Sequence, residues 1–547
     1  MSTALNPARG IALAAPHPAA VDAAREVVDA GGNAVDAALA AAVALTVVYP
    51  HMCSVGGDAI AVLRTADGDE VCVNSTGAYG RGWLPEQWGP DESLPVTGPL
   101  TVSVPGAAAG WGELWRRAGS LPIATILAPA VRLAEDGMTV SAGLAASLAE
   151  YADRLRPDPG MRATFFDGDE PVREGAHVVQ PALAATLRAL AEHGFDELYR
   201  GELAGAFADG LADLGVPVTT EDLAAHRVHV EPPLVGEMAG TRVSTAPPNS
   251  QGFTFLRTIG AAEAGGGWRG LDPAVLAELF HAGDRLRDLV LADPLVAPVD
   301  VSGFLTPPAL AEARADAEQA LVTGERPEVA ARPRPGGDTI AVTVVDADGT
   351  ALSLIQSVFH AFGSLLLEAR TGLVLHNRAS FFSLDPASPN VLAPGKRPGH
   401  TLVPVIVSTP DGAVAAHGTM GGKAQSQIHA QLLRRTMLGD DPAAAVAAPR
   451  FIVGGTEVGD TEDRIFVEGG HEPGMVAALH RTGMRLVVAD GRDSEAGHAM
   501  IARRDASGAL SAGADPRSDG AVLVVEAAAL VAEVSALVAG DAEPAPA

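Results

Sequence analysis

The spacing of apolar residues changes near residue 339 of this chain. Before that point, apolar positions in several long stretches recur at the spacing of amphipathic helices. Within residues 17–48 this pattern is interrupted at Gly31-Gly32, so we predict two helices there, the second capped by Asn33. Further helical patterns cover residues 121–150, 180–213 and 273–293, and strands are predicted at 59–64, 70–74 and 242–245. The first part of the chain is therefore expected to be mostly helical.

After residue 339, strands dominate the pattern. Residues 339–345 and 351–357 are β-rich and flank Asp346-Ala347-Asp348-Gly349, a turn sequence typical of a hairpin. Further strands are predicted at 373–376, 402–407, 413–416 and 521–525, and helices at 425–437 and 472–480. An α+β fold, with mixed sheets covered by helices on both faces, would accommodate this order of elements.

Composition and charge exclude several classes of protein. The 547 residues suffice for a large core, and 38 basic against 67 acidic residues give a formal charge of −29, so we expect no nucleic-acid partner and no membrane partner. The apolar run 34–48 is short for a membrane span and the run 11–15 is short for a secretory signal, so a cytoplasmic protein is expected. Cys53 and Cys72 give no disulfide framework, and the 15 histidines show no metal-binding spacing. We predict no metal and no cofactor.

The junction before the hairpin suggests self-cleavage. Residues 321–338, rich in proline, glycine and charge, have the composition of a linker or of a surface loop, and they lead directly into Thr339. A threonine there can attack the carbonyl upstream of it, and hydrolysis then leaves it a hydroxyl and a free α-amine. Because an α-amine has a pKa of about 7.7–8.0, it can act as the base for that hydroxyl. A plain packing role for the threonine is the alternative. The only lysines, Lys396 and Lys423, lie in glycine-rich segments further along, which points to a site in the same part of the chain.

Nine segments, in order along nearly the whole chain, resemble the γ-glutamyltransferase family of N-terminal-nucleophile (Ntn) hydrolases. They are Gly-Gly-Asn-Ala-Val-Asp-Ala-Ala (31–38), Tyr-Pro-His with Val-Gly-Gly (49–57), Val-Pro-Gly (104–106), Pro-Pro-Asn-Ser-Gln-Gly (247–252), the strand at Thr339, Pro-Gly-Lys-Arg-Pro (394–398), Gly-Thr-Met-Gly-Gly (418–422), Ala-Pro-Arg-Phe (448–451) and Asp-Pro-Arg-Ser-Asp-Gly (515–520). The resemblance implies a four-layer αββα sandwich and autocatalytic cleavage between Asp338 and Thr339. A large subunit, 1–338, and a small subunit, 339–547, would remain intertwined.

The same resemblance implies the catalytic groups. Thr339 is the nucleophile, its free amine is the base, and the amides of Gly421 and Gly422 form the oxyanion hole, where glycine lets the main chain approach the substrate oxygen. The hydroxyl of Ser357 supports the nucleophile. Thr343, on the same hairpin, is a further candidate, with a satisfied strand hydroxyl as the alternative.

Departures from the family pattern concern the substrate. Where γ-glutamyl enzymes hold the α-carboxylate with an arginine, this chain has Thr76. Where they hold the α-amine, it has Arg378 and Phe381, and an arginine repels an ammonium group but binds a carboxylate. Recognition of glutathione-like substrates is therefore not favoured.

The run that contains Arg378, followed by His400 and Thr401, resembles a branch of the family that includes oxamate amidohydrolases. That resemblance implies a substrate with a carboxylate close to the scissile carbonyl, anchored by Arg378. The alternative for Arg378 is a structural ion pair. His400 and Asn377, like Lys423 and Gln425, either contact substrate or close a hydrogen-bond network.

The leading hypothesis is therefore an amidase that cleaves a small, carboxylate-bearing acyl amide through an acyl-enzyme on Thr339. Its partners would be the substrate and the two subunits of one precursor, with a dimer of the processed molecule possible. Three alternatives stay open: a γ-glutamyl hydrolase or transferase, a C–C hydrolase that releases an oxalyl or 2-oxo acid unit in natural-product biosynthesis, and a non-catalytic scaffold that binds a carboxylate.

Overall fold

The computed structural model describes residues 10–82, 94–297, 299–326, 338–455 and 464–526, apart from the side chain of Arg269. Most of the predicted linker, residues 327–337, lies outside them. The linker's described ends belong to regular elements, since residues 321–323 finish a helix and Asp338 begins a strand.

The described helices lie mostly before Thr339. They are α1 Pro18–Asp29, α2 Ala34–Val48, α3 Ala107–Ala118, α4 Ile123–Glu135, α5 Ala142–Leu155, α6 Pro159–Phe165, α7 Pro181–His193, α8 Glu197–Arg200, α9 Glu202–Asp213, α10 Thr220–Ala225, α11 Gly252–Ala264, α12 Pro273–Val290, α13 Pro307–Thr323, α14 Gln425–Met437, α15 Pro442–Ala447 and α16 Pro473–His480.

The strands supply two large sheets and several small ones. They are β1 Ile11–Ala15, β2 Asp58–Arg64, β3 Glu70–Ser75, β4 Met138–Thr139, β5 Phe166–Asp167, β6 Glu170–Pro171, β7 His177–Val178, β8 His229–Glu231, β9 Leu234–Met238, β10 Thr241–Thr245, β11 Asp338–Asp346, β12 Ala351–Phe359, β13 Leu367–Glu368, β14 Leu373–Val374, β15 Val405–Ser408, β16 Val414–Thr419, β17 Phe451–Val453, β18 Arg464–Val467, β19 Arg485–Val488, β20 Ala499–Arg504, β21 Leu510–Ala514 and β22 Ala521–Val525.

Two large sheets pack face to face around the hairpin β11–β12. One has the strand order β22-β1-β11-β12-β2-β3-β8 and the other β21-β20-β16-β15-β10-β9, and the pairs within them are antiparallel. Successive side chains of a strand point to opposite faces. Accordingly, Ala341 and Val345 of β11 join an apolar cluster that spans both sheets, whereas Ile340, Val342 and Val344 join the cluster under the helices.

Helices pack on the outer face of each large sheet. The larger helical core belongs to α1–α9, and its centre is α2, an alanine-rich helix with every residue buried. Asn33 starts α2 with a capping box, because its side chain accepts from the Asp36 amide while Asp36 accepts from the Asn33 amide. A second core, with α11, α12, α13, α14 and α16, lies on the other sheet. No helix of the described residues is long and apolar enough to cross a membrane.

The predicted elements are found with specific differences. The pattern at 121–150 is two helices, because Gly137 takes a left-handed φ of 99° and the chain forms β4 before α5 begins. The pattern at 180–213 is three helices, interrupted at Gly194, which has a φ of 88°, and at Gly201.

Two predicted strands begin or end elsewhere. The strand expected at 373–376 stops at Val374, since the amides of His376 and Asn377 bond to Gly56 and Val358 instead. The strand expected at 402–407 begins at Val405, because the amide of Val403 donates to the Gln425 side chain.

Candidate active site

The start of β11 holds a chain of hydroxyl contacts at the predicted cleavage point. Oγ1 of Thr339, which is 1% exposed, donates to Oγ of Ser357 over 3.0 Å. Ser357 Oγ donates to the carbonyl oxygen of Asp338 (2.7 Å) and accepts from the amide of Phe359 (2.8 Å). The register of the β11–β12 ladder shifts between Asp338 and Ile340, which breaks the regular pairing at Thr339. The structure thus brings Ser357 into contact with Asp338 and Thr339, although Thr339 and Ser357 are 18 residues apart in sequence.

Asp338 has an unusual carboxyl group. Burial raises its pKa to about 7, the negative charge of Glu150 adds to the effect, and a hydrogen bond from the Ala361 amide opposes it. The carboxyl is therefore partly protonated near neutral pH. Its neighbour across the ladder, Phe359, has a left-handed backbone with φ 81°, an uncommon conformation for a bulky residue that costs on the order of 1–3 kcal/mol. The strain lies at the same point as the predicted scissile bond.

The predicted oxyanion loop follows β16. Gly421 and Gly422 have φ values of 143° and 52°, which side chains rarely adopt. No described residue accepts a hydrogen bond from either amide. Three residues earlier, Gly418 packs so tightly against Ala341 that an added Cβ would lie 2.6 Å from the Ala341 Cβ. Glycine at 418 therefore lets β16 lie against β11, the strand that begins with Asp338 and Thr339.

A buried brace, made of Gln251 and Arg287, supports the carbonyl side of this loop. The side-chain amide of Gln251, fully buried, donates to the carbonyls of Gly422 (3.0 Å) and Thr401 (2.9 Å). Its oxygen accepts from Arg287 (3.2 Å), which is 1% exposed and is held by Asp284 and Asp288. The brace thus holds the carbonyl side of the glycine loop, whereas the amides of Gly421 and Gly422 have no described acceptor.

Arg378 is a buried guanidinium without an ion pair among the described residues. It is 1% exposed, its Cζ lies 3.7 Å from the centre of the Phe359 ring, and Nη1 donates to Oγ1 of Thr401 over 3.4 Å. Nη2 is buried and has no described partner. Burial lowers the pKa of Arg378 to about 9, and the charge of Asp58 offsets this only in part. The ring on which Arg378 stacks belongs to Phe359, whose backbone pairs with Asp338, the residue before Thr339.

Asp58 lies between two buried histidines. Its Oδ2 is 3.2 Å from Nε2 of His400 and 3.3 Å from Nδ1 of His376. Burial raises the pKa of Asp58, but the contacts with His376 and His400 outweigh burial and hold it well below its usual range. Nδ1 of His400 accepts from the Leu402 amide, and burial lowers the pKa of this ring to about 3, so His400 is neutral and donates to Asp58 from Nε2. Both its nitrogens are thus engaged within the protein.

The gamma-glutamyltranspeptidase family model matches residues 20–525. The chain belongs to the gamma-glutamyltranspeptidase family. This confirms the family resemblance carried by the nine segments, and it makes the protein an enzyme of the γ-glutamyltransferase-like amidohydrolase type.

Similar proteins cover more than nine-tenths of this gamma-glutamyltranspeptidase-family chain. The oxamate amidohydrolase proenzyme of Klebsiella pneumoniae is 37% identical over 94% of this chain and 98% of that protein. The glutathione hydrolase-like YwrD proenzyme of Bacillus subtilis is 33% identical over 93% of this chain and 98% of that protein. The crystal structure of cephalosporin acylase from Bacillus halodurans superposes with a TM-score of 0.82 and 32% identity, over 96% of this chain and 98% of that one. The mixed α/β fold is thus shared with acylases of known structure.

Other predicted site residues of this gamma-glutamyltranspeptidase-family protein lie in closed networks. Thr76 Oγ1 donates to Asn74 (2.8 Å) and accepts from Asn249 (3.2 Å). The Asn377 side chain bonds to His360 and to the Val96 carbonyl. These contacts give Thr76 and Asn377 structural roles in the chain as it stands.

The remaining candidates differ in how far their polar atoms are satisfied. The Thr343 hydroxyl is buried without a described partner, while its methyl group packs towards Gly418. Gln425 accepts from the Val403 amide and leaves Nε2 without a described partner. Lys396 donates to two backbone carbonyls, whereas Lys423 lies 3.5 Å from Asp288 beside the oxyanion loop. Of the two lysines, only Lys423 borders the site.

Sequence reasoning assigned no role to Gln251, Arg287 and Asp58. The first lies in the segment 247–252, which served only to identify the family. A fully buried glutamine beside glycine could have signalled a bracing role, but its partners Gly422 and Arg287 lie far away in sequence. Among the described residues, no group of histidine, cysteine and acidic side chains could hold a metal ion.

Proposed function

We propose that the protein is a self-processing Ntn amidohydrolase that cleaves the amide bond of a small acyl substrate with its own carboxylate, as in oxamate, through an acyl-enzyme on Thr339. The observation that carries the proposal is Arg378, a buried guanidinium with a vacant donor beside the ring of Phe359. Buried charges are normally paired, so a vacant buried guanidinium fits a carboxylate ligand.

The hydroxyl chain supports a route for self-cleavage. Oγ1 of Thr339 attacks the carbonyl carbon of Asp338, and its proton passes to Oγ of Ser357. Ser357 gives its own proton to the carbonyl oxygen, to which it already donates. That proton then returns through Ser357 to the nitrogen of Thr339. The peptide C–N bond breaks, and an ester between the Asp338 carbonyl and Oγ1 of Thr339 remains. Water then hydrolyses the ester, so that Asp338 ends one subunit, 1–338, and Thr339 begins the other, 339–547.

Turnover would use the amine that this cleavage releases. The α-amine of Thr339 takes the hydroxyl proton as Oγ1 attacks the substrate amide, and the amides of Gly421 and Gly422 stabilise the oxyanion. The protonated amine then gives its proton to the leaving nitrogen. A water molecule, activated by the same amine, hydrolyses the acyl-enzyme and releases the free acid.

An oxamate-type substrate places its carboxylate directly beside the scissile carbonyl. Nη2 of Arg378 would bind that carboxylate, with Thr401 holding Nη1 in place. The likeness to a protein named oxamate amidohydrolase supports this assignment. The γ-glutamyl reading is disfavoured, since the hydroxyl of Thr76 is engaged with Asn74 and Asn249 and Arg378 would repel the substrate ammonium. The proposal also includes the four-layer αββα arrangement and a processed enzyme that is cytoplasmic and can dimerise. The apolar clusters between the sheets and beneath the helices support the layers.

The test begins with the intact mass of the purified protein. We expect two fragments that divide between Asp338 and Thr339 in the wild type and in Thr339→Ser, which keeps a hydroxyl, and a single chain in Thr339→Ala. The processed enzyme should then release ammonia from oxamate at a higher kcat/KM than it releases the aniline from a γ-glutamyl anilide. Cleavage in Thr339→Ala would refute the nucleophile, and the reverse substrate preference would refute the role of Arg378.

A further inference from the structure

A cavity with a volume of about 210 Å³ lies between α12, α14, α15, β17 and α16. No residue of the β11–β12 hairpin lines it. Its wall includes the side chains of Leu276, Leu432, Phe451 and Met475. Apolar cavities of about 150 Å³ can hold a benzene ring, so this one has room for a ring with a polar substituent. It is smaller than the roughly 300–1,000 Å³ typical of pockets for drug-sized ligands, so its occupant is expected to be small.

Arg434 supplies a charge to this apolar space. Its Nε is buried without a described partner, and its guanidinium makes no ion pair with a described residue. The neighbouring charge that acts on it is that of Arg435, which, after burial, further lowers the pKa of Arg434. Arg435 itself is paired with Asp440 at 3.0 Å. Arg434 is half-buried, and its charge next to the like charge of Arg435 would attract an anionic ligand.

His471 adds a second unsatisfied nitrogen to the same wall. Its Nε2 is buried and lacks a described partner. Burial lowers the pKa of His471, so the ring is neutral near pH 7, and a hydrogen bond with the Arg450 backbone opposes that shift. Because the single N–H of the neutral ring serves that bond, Nε2 faces the cavity as an acceptor. The acidic residue of the lining is Glu472, which is exposed at the rim. Arg435 and Arg450 of the lining are paired with Asp440 and Asp515, so Arg434, unpaired among the described residues, and the apolar side chains of the wall together suit a monoanion with an apolar body.

The cavity is connected to the oxyanion loop by two routes. Arg434 is near the end of α14, and α14 begins three residues after Gly422. Arg450, also in the lining, donates to the carbonyls of Ala496 and Gly497, and an added Cβ on Gly497 would lie 2.4 Å from the carbonyl oxygen of Met420. A ligand that moves α14 or Arg450 would therefore move the residues that flank Gly421.

We propose that this cavity is a regulatory site for a small carboxylate with an aromatic or aliphatic body, held by Arg434, and that its occupation changes turnover at the oxyanion loop. This regulatory proposal rests on the proposed function only for the identity of the reaction that is regulated. Binding of the carboxylate at Arg434 is measured separately from activity.

Binding is tested by calorimetry with benzoate as the probe, in the processed enzyme carrying Arg378→Gln, which removes the carboxylate anchor of the active site. We expect one saturable site there and at least a tenfold weaker Kd when Arg434→Gln is added. Arg370→Gln, an exposed arginine paired with Asp213 on another face, should leave the Kd unchanged. Benzyl alcohol, which keeps the ring and lacks the charge, should bind the same protein at least tenfold more weakly than benzoate. Equal binding with and without Arg434, or of benzyl alcohol and benzoate, would overturn the site.

Coupling is tested in the enzyme with an intact Arg378. Benzoate that only competes at the active site raises KM for oxamate and leaves kcat unchanged. A regulatory site changes kcat at saturating oxamate, and Arg434→Gln should abolish that change while the effect on KM persists. An unchanged kcat in the wild type at saturating benzoate would overturn the regulatory role. An inactive enzyme that still binds benzoate through Arg434 would refute the proposed function and leave the cavity assignment standing.

Discussion

Replacing Arg378 with methionine should stabilise the protein while it abolishes carboxylate binding. Burial lowers the pKa of Arg378 from its ordinary value to about 9. One pKa unit is worth about 1.4 kcal/mol, so keeping this guanidinium charged at neutral pH costs on the order of 5 kcal/mol. The sign follows from the direction: a base with a depressed pKa in the folded state destabilises that state at every pH below the depressed value. The lost contacts with Phe359 and Thr401 offset part of this stabilisation. The free energy of unfolding is therefore expected to rise by about 1–3 kcal/mol.

Arg397 is the matched control for this change. It is buried to a similar extent, at 4% exposure, but is paired with Asp293, with Nη2 2.8 Å from Oδ1. Arg397→Met leaves a buried carboxylate unpaired and should cost about 3–5 kcal/mol. The two arginine-to-methionine changes thus have opposite expected signs.

The assay is denaturant-induced unfolding of the Thr339→Ala protein, in which one continuous chain unfolds. Because the processed enzyme is expected to hydrolyse oxamate, the ligand is its product oxalate. At a hundred times its Kd for the protein with Arg378, oxalate should stabilise that processed protein by about 2.7 kcal/mol and the processed Arg378→Met variant by almost nothing. A destabilised Arg378→Met, as expected of Arg397→Met, would show that Arg378 has an internal counterion. Equal stabilisation of both proteins by oxalate would show that the carboxylate binds elsewhere.

Three further predictions concern catalysis and processing. Gln251→Ala removes the bonds to the carbonyls of Gly422 and Thr401, so we expect steady-state kinetics of the processed enzyme to show kcat lowered about 10–100-fold with KM for oxamate little changed; a change in KM alone would contradict a role in positioning the oxyanion loop. Ser357→Ala removes the donor to the Asp338 carbonyl and the relay for the Thr339 proton, and should slow self-cleavage about 100-fold on gels, whereas Ser357→Thr, which keeps the hydroxyl, should cleave. Because the pKa of Asp338 is raised to about 7, the stability that its neutral form gives the precursor is lost as the pH rises through 7. The self-cleavage rate should therefore increase between about pH 6 and pH 8, and the same increase in Asp338→Asn would assign it to another group.

The sequence predicted strands and helices where their periodicity was strong, as in α2, α14 and the β11–β12 hairpin. Continuous helical patterns hid interruptions at Gly137 and Gly194, because a single glycine leaves the apolar spacing intact on both sides. Arg378 became a candidate because this chain departs from the family pattern at that position. The stacking of Arg378 on Phe359 and the engagement of both nitrogens of His400 came only from the structure. Those contacts join residues up to 342 positions apart, and such distances leave no periodic signal in the chain.

The strand order of the first large sheet has a consequence for how the active molecule can be made. β1, from the amino-terminal part, lies between β22 and β11, which both come from the part after Asp338. Once the peptide bond after Asp338 is cut, the two polypeptides alternate within one hydrogen-bonded sheet and cannot separate without unfolding. Refolding then becomes a bimolecular event whose yield depends on concentration, whereas the precursor folds as a single molecule. The two-chain enzyme that we propose would therefore refold less readily than its precursor, and after thermal denaturation we expect it to recover far less completely than Thr339→Ala.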